Sequence, residues 1–590
     1  MMQDARLEAG RVQIAVTENY KRMARLLSEG GAAGFFSPDS PAADPDTLGH
    51  PPGYPFVIAL VRGAGGETDA ALRLAQAAAD ALAAVLVFLV AAELLSACAG
   101  LVAGLLVALA PQFAWNSVLL LPDTLAVLPV VAAVYLVARG LRGRSLFAFA
   151  AAGALVGLSC WLRANALLLA PFLAAAAFAL MEKRVRTRYA LAVLGGALVA
   201  VAPLTLRNAV VFGAFIPVSL GAGQTMLEGI ADYDPGGRFG IPATDLGIQR
   251  QEAAEFARPD YAETLFGPDA VARERRRLAR ARAVILRHPL WFASVMARRA
   301  ASMLRLERAR AVSPRPQVAH DLDAPLATRP VWAASPAELL AGGRALSPAS
   351  SATLAGGGTA LLVTGDDSKD APQFAAAPAP VEAGTDYLFD VAVAAERGRM
   401  TLGVADDAAR ETLASTTVET QEGARPPAPG AAEAGGGGPP PASVRIPFVS
   451  SESGAVRLVF VNAPSEPPRP AVRVGGARLH ALGPASHAWT RLPRVAVAAA
   501  QKVFITAVML PLALAGLFLM ARGKKWRALV VLLTVPVYYL CVQSALHTEY
   551  RYVLAAHYFL FAAAAHALCR AGQKAVSSFR FRVSGSRVCA

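Results

Sequence analysis

Long apolar runs constrain this chain more than any other feature. About nine such runs are present, and most approach the roughly 20 residues that a helix needs to cross a bilayer. Of the 590 residues, 55% are hydrophobic and 17% are charged, a balance that soluble domains rarely reach. The sequence therefore predicts a polytopic α-helical membrane protein. The apolar runs lie at 71–95, 97–119, 123–138, 145–161, 164–181, 189–206, 503–521, 528–546 and 553–569.

Charged residues sort to opposite sides of these runs when each run is taken as one crossing. Basic clusters at 139–144, 183–188, 522–527 and 570–587 fall on one side. Short basic loops are typical of the cytoplasmic face, which gives the predicted orientation. They also account for much of the net charge of +14; no basic face is interleaved with aromatic residues, so nucleic-acid binding is not expected. The outward side carries a set of chemically active residues: His50, Asp123, Arg163, Arg207, His547, Glu549 and Arg551.

The five cysteines form no CxxC pair, which argues against a disulfide framework or a zinc site. The N-terminal stretch MMQDARLEAGRVQIAVTENYKRM is polar and lacks the apolar core of a signal peptide. A chain that starts on the outward side without a signal predicts that a first transmembrane helix is missing, through truncation or a late start codon.

Composition divides the chain into six regions. Residues 311–490 are rich in Pro, Gly and Ala and contain segments of alternating polarity, such as YLFDVAVA and AVRLVFV, which predict antiparallel strands. We predict a periplasmic β-sandwich-like insert here, with a low-complexity loop at 422–442. The regions are a first outer loop at 1–69, transmembrane helices at 70–206, an outer loop with interfacial helices at 207–310, the insert at 311–490, C-terminal transmembrane helices at 491–570 and a cytoplasmic tail at 571–590.

A basic segment at 272–310 mixes Arg with Leu, Val, Trp and Phe. Such a mixture predicts a helix that lies at the membrane interface, and a helix solvated on the outer loop is the alternative.

Seven short motifs follow one another in a defined order. They are YKRMARLLSEGG at 20–31, HPPGYPF at 50–56, LRLAQ at 72–76, LLLPDTL at 119–125, WLRANALLLAP at 161–171, PLTLRNAVVFGAFIPVS at 203–219 and HTEYRYVLA at 547–555. In this order and spacing the motifs resemble the polyprenyl-phosphate-dependent glycosyltransferases of the GT-C fold. This superfamily includes the protein O-mannosyltransferases and the aminoarabinose transferases, and the resemblance is to its broad bacterial branch. It covers roughly 10–310 and 490–570; the insert instead looks like the carbohydrate-binding sandwiches of some sugar-active enzymes.

The resemblance implies a membrane glycosyltransferase of GT-C type in the bacterial inner membrane, with its active face in the periplasm. A sugar would move from a polyprenyl-phosphate donor to a periplasmic glycan, lipid or protein acceptor, with inversion at the anomeric carbon. Such a reaction needs an acid that takes the proton of the acceptor hydroxyl. It also needs cations or hydrogen-bond donors that stabilise the departing lipid phosphate.

The resemblance also implies which residues bind the donor phosphate. His50 stands before PPGYP, where relatives carry a His or Lys that faces the phosphate. Arg163, Arg207 and Arg551 stand at the outer ends of predicted spans, each within a family motif. Arginines at such positions otherwise extend to the interface without a binding role.

The acid side departs from the family pattern. The usual catalytic aspartate lies four residues before the tyrosine that matches Tyr20, and that position here is Val16. The predicted catalytic residues are therefore Glu18, as a replacement one turn away, and Asp123, as an acceptor or metal contact. The alternatives are a solvated Glu18 and an Asp123 that caps its helix. No metal ligands are assigned, and a divalent ion as cofactor is left open.

Two other function classes remain open. A catalytically impaired glycan-binding membrane protein is favoured by the loss of the aspartate at Val16. A transporter of lipid-linked glycans would need charges deep in several spans and broken helices in paired halves, and Asp80 is the one acid deep in a predicted span. Neither the donor sugar nor the acceptor follows from the sequence.

Overall fold

A computed structural model describes residues 14–65, 68–308, 312–313, 315–320, 322, 329–366, 368, 371–408, 411–419, 442–450, 452, 454–463 and 469–585. The chain forms two compact units, of which one consists of 1–312 with 499–590 and the other of 313–498. The helices are α1 Ile14–Phe36, α2 Gly53–Gly65, α3 Asp69–Leu94, α4 Ala97–Leu109, α5 Pro111–Val118, α6 Asp123–Gly143, α7 Leu146–Leu162, α8 Leu169–Leu180, α9 Arg186–Phe212, α10 Ala222–Ala231, α11 Asp245–Glu255, α12 Ala270–Arg287, α13 Pro289–Met303, α14 Pro336–Ala341, α15 Arg491–Gln501, α16 Thr506–Arg522, α17 Trp526–Val542 and α18 Leu554–Gly585.

The helical unit contains most of the predicted spans. Within the described residues, five helices are long and apolar enough to cross a membrane, or seven if two bent helix pairs each count as one span. This is fewer than the nine apolar runs. One reason is Pro111, which begins α5 where the predicted span 97–119 bends by 53°. Another is that α7 and α8 have 17 and 12 residues, because the chain leaves the helical path at Arg163.

Contacts confirm that the basic clusters gather at one end of the helices. Arg142, at the end of α6, lies 3.2 Å from Glu93 at the end of α3, and Arg144 pairs with Glu182 beyond α8. Lys525 donates to the carbonyl of Leu95. We call this the basic end.

A disulfide joins Cys98 and Cys569 at the basic end. The sequence argued against a disulfide framework, and this pair is a correction to that expectation. The two cysteines lie 471 positions apart, so no spacing pattern could indicate that the start of α4 meets the middle of α18.

Small residues let α7 and α9 approach closely. A Cβ atom on Gly153 would lie 1.9 Å from the carbonyl oxygen of Val193, and one on Gly196 would lie 1.9 Å from the carbonyl oxygen of Ala150. Backbone therefore meets backbone at this crossing, as is common where helices associate in lipid.

The second unit is a β-sandwich, which confirms the predicted fold class of a helical membrane protein with a β-rich domain. One antiparallel sheet has the order β3-β4-β11-β6-β9, with β1 also paired to β11, and the other has the order β2-β5-β10-β7-β8. Tyr387 and Phe389 stack on Phe448 in the core between the sheets. The strands are β1 Trp332–Ala334, β2 Arg344–Ala345, β3 Ser351–Ala355, β4 Ala360–Thr364, β5 Pro372–Val381, β6 Thr385–Arg397, β7 Arg399–Asp406, β8 Thr412–Glu419, β9 Ala442–Ser450, β10 Gly454–Asn462 and β11 Ala471–Pro484.

The alternating segments of the sequence correspond to β6, β7, β9, β10 and β11. Most of the remaining strands are short, or rich in Ala, as in PQFAAAPAPV, so their alternation is weak. The predicted low-complexity loop at 422–442 lies outside the described residues, except that its last residue begins β9.

The basic segment 272–310 is not one helix in its described part. His288 ends α12 and Pro289 begins α13, because proline cannot continue the hydrogen-bond ladder. Two arginines of α12, Arg273 and Arg277, are buried against Glu252. These charges are therefore satisfied inside the fold rather than at a lipid surface.

The crossing of α7 and α9 offers a matched test within one helix. Gly196→Ala should lower the free energy of unfolding by about 1–3 kcal/mol, because the added methyl group forces two backbones apart. Gly195→Ala is the control, since nothing lies within 4 Å of a Cβ atom at that exposed position. Thermal unfolding of the purified protein in one detergent measures both. Equal midpoints for the two variants would contradict the packing described here.

Candidate functional site

The end of the helices opposite the basic end brings five chain segments together. Asp123 begins α6, Arg163 follows α7, and residues 549–552 precede α18. Tyr20 on α1 and His50 in the loop before α2 complete the group. We call this set of segments the outer site.

Arg163 and Asp123 form an ion pair within it. The guanidinium Nη1 of Arg163 lies 3.0 Å from Oδ1 of Asp123, and both side chains are largely withdrawn from solvent. Among the described residues, the buried Oδ2 of Asp123 accepts no hydrogen bond. The buried hydroxyl of the neighbouring Thr124 also has no hydrogen-bond partner there. A buried carboxylate oxygen without a donor is uncommon and indicates a place where a ligand group can bind.

A second arginine–carboxylate pair lies beside the first. Arg551 donates through Nε to Glu549 at 2.6 Å and through Nη2 at 3.0 Å, which is a two-point contact. Burial raises the pKa of the Glu549 carboxyl, but the charge and hydrogen bonds of Arg551 outweigh it and hold that pKa below its usual range.

The ring of Tyr552 lies close to both arginines. The guanidinium carbon of Arg163 is 4.2 Å from the ring centroid and that of Arg551 is 5.2 Å from it. Asn165 donates to the carbonyl oxygen of Tyr552 at 2.8 Å, which ties the turn after α7 to the segment before α18. Cation–π contacts and ion pairs thus fix both guanidinium groups in place.

Tyr20 and His50 face this cluster. Their ring centroids are 5.0 Å apart, and Tyr20 also meets Tyr54 edge to face at 5.0 Å. The pKa of His50 is lowered to about 4, first by the loss of surrounding water and then by the positive charges of Arg163 and Arg551, although part of the residue remains exposed. His50 is therefore neutral at neutral pH and offers a ring N–H rather than a charge.

Buried polar contacts hold the turn that carries Asp123. The hydroxyl of Tyr54 donates to Gln76, and the amide of Gln76 donates to the carbonyl oxygens of Ser117 and Leu119. From the other side, Thr17 on α1 donates to the carbonyl of Leu120 at 3.4 Å. Gln76 is fully buried within an apolar helix, where polar side chains are costly, and this bracing role accounts for it.

A small open recess adjoins Tyr20 and His50. Its wall on α1 follows a helical spacing, and the loop before α2 supplies the facing wall. It is lined by Asn19, Tyr20, Arg22, Met23, Leu26, Asp46, Thr47, His50 and Pro55.

The structure does not bring Arg207 into the contacts of Arg163, Arg551 or His50 described above. Its guanidinium donates to the carbonyl oxygens of Phe35 at 3.1 Å and Ala42 at 2.6 Å, and to the side chain of Asn208. These contacts join the end of α9 to the end of α1 and to the loop that follows. The phosphate-binding role predicted for Arg207 stays a prediction, and its observed contacts are those of a positioning residue.

Glu18, the predicted replacement base, lies on the exposed side of α1. Its side chain is 55% exposed and pairs with Lys21 at 3.2 Å, while Lys21 also pairs with Asp69. Glu18 does not line the recess. Its catalytic role stays a prediction.

A carboxyl pair that sequence reasoning missed lies on the outer loop. Glu228 on α10 is hydrogen-bonded to Asp245 at the start of α11, and Gln224 also donates to Asp245. Burial, and then the hydrogen bond and charge of Asp245, raise the pKa of Glu228 to about 9, so this carboxyl is protonated at neutral pH. A hydrogen bond from Leu220 to the carbonyl of Leu48 ties the chain before α10 to the loop of His50.

No local pattern could have revealed this pair, because 16 residues, most of them loop and turn, separate its members. Within the ranges that the structure describes, no group of three or more His, Cys, Asp or Glu side chains is arranged to hold a metal ion.

Part of the outer site lies in a segment that matches a known family. Residues 49–206 match the family model described as dolichyl-phosphate-mannose-protein mannosyltransferase. The chain is similar to GT-C glycosyltransferases. The matched segment runs from the loop of His50 through α9 and so contains Asp123 and Arg163. It confirms the resemblance predicted from the motifs. The match supports the general class of membrane glycosyltransferase.

One solved structure that resembles the chain is the arabinosyltransferase EmbB from Mycobacterium smegmatis, determined by single-particle cryo-EM. The two chains are 12% identical, the TM-score is 0.22, and the alignment covers 79% of this chain and 65% of EmbB. At that TM-score the similarity carries no argument about function. A comparison with curated protein sequences finds no match.

The raised pKa of Glu228 predicts a pH-dependent stability. The folded state keeps a proton that the unfolded chain loses above its ordinary pKa of 4.5, so this residue's contribution to stability falls as pH rises from about 5 to 9. Glu228→Gln should therefore raise the unfolding midpoint relative to the unsubstituted protein, and more at pH 9 than at pH 5. The charged groups around it are Asp245 and Asp232, with His547 and Arg299 beyond Asp232.

Thermal unfolding at pH 5, 7 and 9 measures this difference. Glu255→Gln on the exposed side of α11 is the matched control and should show the slope of the unsubstituted protein. A Glu228→Gln variant whose midpoint runs parallel to that control at every pH would show that Glu228 is not held protonated.

Arg207 gives a separate test of positioning. Arg207→Met should destabilise the protein by about 1–3 kcal/mol, because the carbonyls of Phe35 and Ala42 lose their donor in a buried place. Arg207→Lys should recover part of the midpoint. An Arg207→Met variant of unchanged stability that has lost its lipid-phosphate affinity would instead establish the binding role predicted from the sequence.

Proposed function

We propose that the chain transfers a sugar from a polyprenyl-phosphate donor to an acceptor at the outer site, with inversion at the anomeric carbon. The observation that carries this proposal is the pair of arginines, Arg163 and Arg551, which both lie against Tyr552 and are each paired with a carboxylate. Two fixed guanidinium groups at one end of a membrane helix bundle suit a lipid phosphate, because phosphate oxygens accept paired N–H donors.

The carboxylates occupy only part of each guanidinium group. The ion pair of Arg163 with Asp123 runs through Nη1, and Arg551 uses Nε and Nη2 for Glu549. The remaining N–H groups are available for phosphate oxygens, and the neutral ring of His50 adds a further donor. Donors that are already oriented stabilise the charge of the departing phosphate without having to reorganise during the reaction.

The reaction is a single displacement. The acceptor oxygen forms a bond to the anomeric carbon while the bond from that carbon to the phosphate oxygen breaks, and the electron pair leaves with the polyprenyl phosphate. The proton of the acceptor hydroxyl passes to a carboxylate. Of the two acids predicted from the sequence, Asp123 has the stronger support, because its Oδ2 accepts no hydrogen bond among the described residues and lies in the outer site. Glu18 remains the alternative base.

The location follows from the charge sorting. The chain is a membrane protein, and we propose that it lies in the bacterial inner membrane with the basic end in the cytoplasm and the outer site in the periplasm. The acceptor would then be a periplasmic glycan, lipid or protein.

One observation favours the second candidate, a glycan-binding membrane protein with impaired catalysis. Val16, where relatives carry the catalytic aspartate, is a half-buried aliphatic residue and has no acid–base chemistry. The β-sandwich would then be the working part. This candidate predicts donor binding without transfer.

Binding and transfer can be measured on the full-length protein in nanodiscs. The unsubstituted protein should bind undecaprenyl phosphate, and Arg163→Gln or Arg551→Gln should weaken that binding roughly tenfold or more. Arg163→Lys keeps the charge and the fold but loses the planar fork, so it should recover only part of the affinity. Release of undecaprenyl phosphate from a lipid-linked mannose donor reports the transfer step.

Arg139→Gln is the control, because Arg139 is an exposed arginine near the basic end. It should bind the lipid like the unsubstituted protein. Affinity that survives in both outer-site variants, or that falls equally in the control, would remove the arginine pair from the binding site. Tight binding with no release of sugar from any donor would favour the glycan-binding candidate.

A further inference from the structure

The disulfide between Cys98 and Cys569 lies at the basic end of the helices. The proposed orientation puts that end in the cytoplasm, where glutathione and thiol reductases keep most cysteines reduced. A purely structural disulfide is therefore unexpected there. The exposure of the two cysteines, and the helix end that carries one of them, indicate instead a bond that forms and breaks.

The two sulfur atoms differ in accessibility. Cys98 is exposed in the first turn of α4, whereas Cys569 is only 6% exposed within α18. Thiol–disulfide exchange begins when a thiolate reaches one sulfur of the bond, so the accessible sulfur is the one attacked. A thiol from solution therefore reaches Cys98 and releases Cys569.

The surroundings of Cys98 favour the reactive form of its sulfur. Ser96 caps α4 and accepts from the backbone N–H of Ala99 at 3.2 Å, so the cysteine lies in the first turn of a regular helix, where backbone N–H groups carry partial positive charge. Lys525 donates to the carbonyl of Leu95 at 3.4 Å, three residues before Cys98, and adds a cation. Helix N-termini and neighbouring cations stabilise the thiolate, which is the form that attacks.

We propose that Cys98 and Cys569 form a thiol–disulfide switch that exchanges electrons with cytoplasmic thiols, with Cys98 as the attacking residue and Cys569 as the resolving residue. In oxidation the Cys98 thiolate attacks oxidised glutathione and releases one glutathione thiolate. The Cys569 thiol then loses its proton and attacks the Cys98 sulfur, which forms the protein disulfide and releases the second glutathione. Reduction runs through the same mixed disulfide in reverse, with the two electrons supplied by two glutathione thiols.

The switch acts on the helical unit. The closed bond links α4 to α18, the helix that follows Tyr552 of the outer site, and joins positions 471 residues apart. A cross-link that closes so long a loop restricts the unfolded chain. The oxidised protein should therefore unfold at a higher temperature than the reduced protein, while Cys98→Ser should show one midpoint under both conditions. Equal midpoints for the two forms of the unsubstituted protein would contradict this effect.

The exchange itself is measured on the full-length protein in nanodiscs. The protein is equilibrated with mixtures of reduced and oxidised glutathione, quenched with acid and alkylated, and mass spectrometry distinguishes linked from free Cys98 and Cys569 peptides. The pair should pass from disulfide to dithiol as the fraction of reduced glutathione rises, and should link again on reoxidation. A pair that stays linked in reduced glutathione, or never links in oxidised glutathione, overturns the switch.

Single variants test the two roles. Cys569→Ser should retain glutathione on Cys98 as a mixed disulfide, because no resolving thiol displaces it. Cys98→Ser should leave Cys569 unmodified, because that residue is buried. The opposite pattern would overturn the assignment of Cys98 as the attacking residue.

Alkylation of the reduced protein tests the surroundings of Cys98. Cys541 is the matched comparison, because it is also exposed but lies in the last turn of α17, where a helix carries partial negative charge. At neutral pH Cys98 should react with iodoacetamide roughly tenfold faster than Cys541. Lys525→Met should slow the reaction of Cys98, and Lys524→Met, at the exposed neighbouring position, should not. Equal rates for the two cysteines would remove the reactive thiolate from the proposal.

Labelling in spheroplasts tests the orientation, on which the inference rests because only a cytoplasmic basic end meets those thiols. After reduction, a membrane-permeant maleimide should label Cys98 and an impermeant maleimide should not. Labelling by the impermeant reagent would overturn the proposed orientation and the cytoplasmic role of the pair. Protection of Cys98 together with an inert disulfide in nanodiscs would overturn the switch alone and leave the proposed function in place.

Discussion

The pairing of buried charges is the constraint on which the outer site depends. Arg163 is largely withdrawn from water, and an arginine in that position without a partner would cost several kcal/mol. Asp123 supplies the partner from another helix, and Tyr552 covers the guanidinium from a segment almost 400 positions further along the chain. Three distant parts of the sequence are thus held at one point by the need to satisfy one charge.

The same pairing decides how the site can recognise an anion. Arg163 with Asp123 and Arg551 with Glu549 make two neutral pairs, and the depressed pKa of His50 keeps its ring uncharged. The attraction for phosphate therefore comes from oriented N–H groups rather than from net positive charge. Hydrogen bonds from oriented N–H groups are stronger in a place with little water than in solution. They stabilise the charge that develops on the leaving phosphate more than they stabilise the phosphodiester of the intact lipid-linked sugar.

Hydropathy predicted most of the helices because lipid leaves few alternatives for an apolar run. The predicted site residues fall into two groups, those that the structure brings together and those that it does not. Asp123, Arg163 and Arg551 were predicted because each stands at the end of a span within a motif, and the structure brings them together. Contacts between distant segments could not be predicted from the sequence. Whether Arg207 binds a ligand or a backbone carbonyl depends on where α1 ends. The hydrogen-bond partner of Glu228 lies on another helix.

The missing aspartate at Val16 is best understood from the packing of α1. Thr17, the next residue, hydrogen-bonds the carbonyl of Leu120, three residues before Asp123. Position 16 on α1 therefore adjoins a residue that contacts the turn leading to Asp123. Tyr20, one turn further along α1, contacts His50 in the outer site, to which Asp123 also belongs. The chain thus keeps an acid at its outer site even though its first helix has lost one.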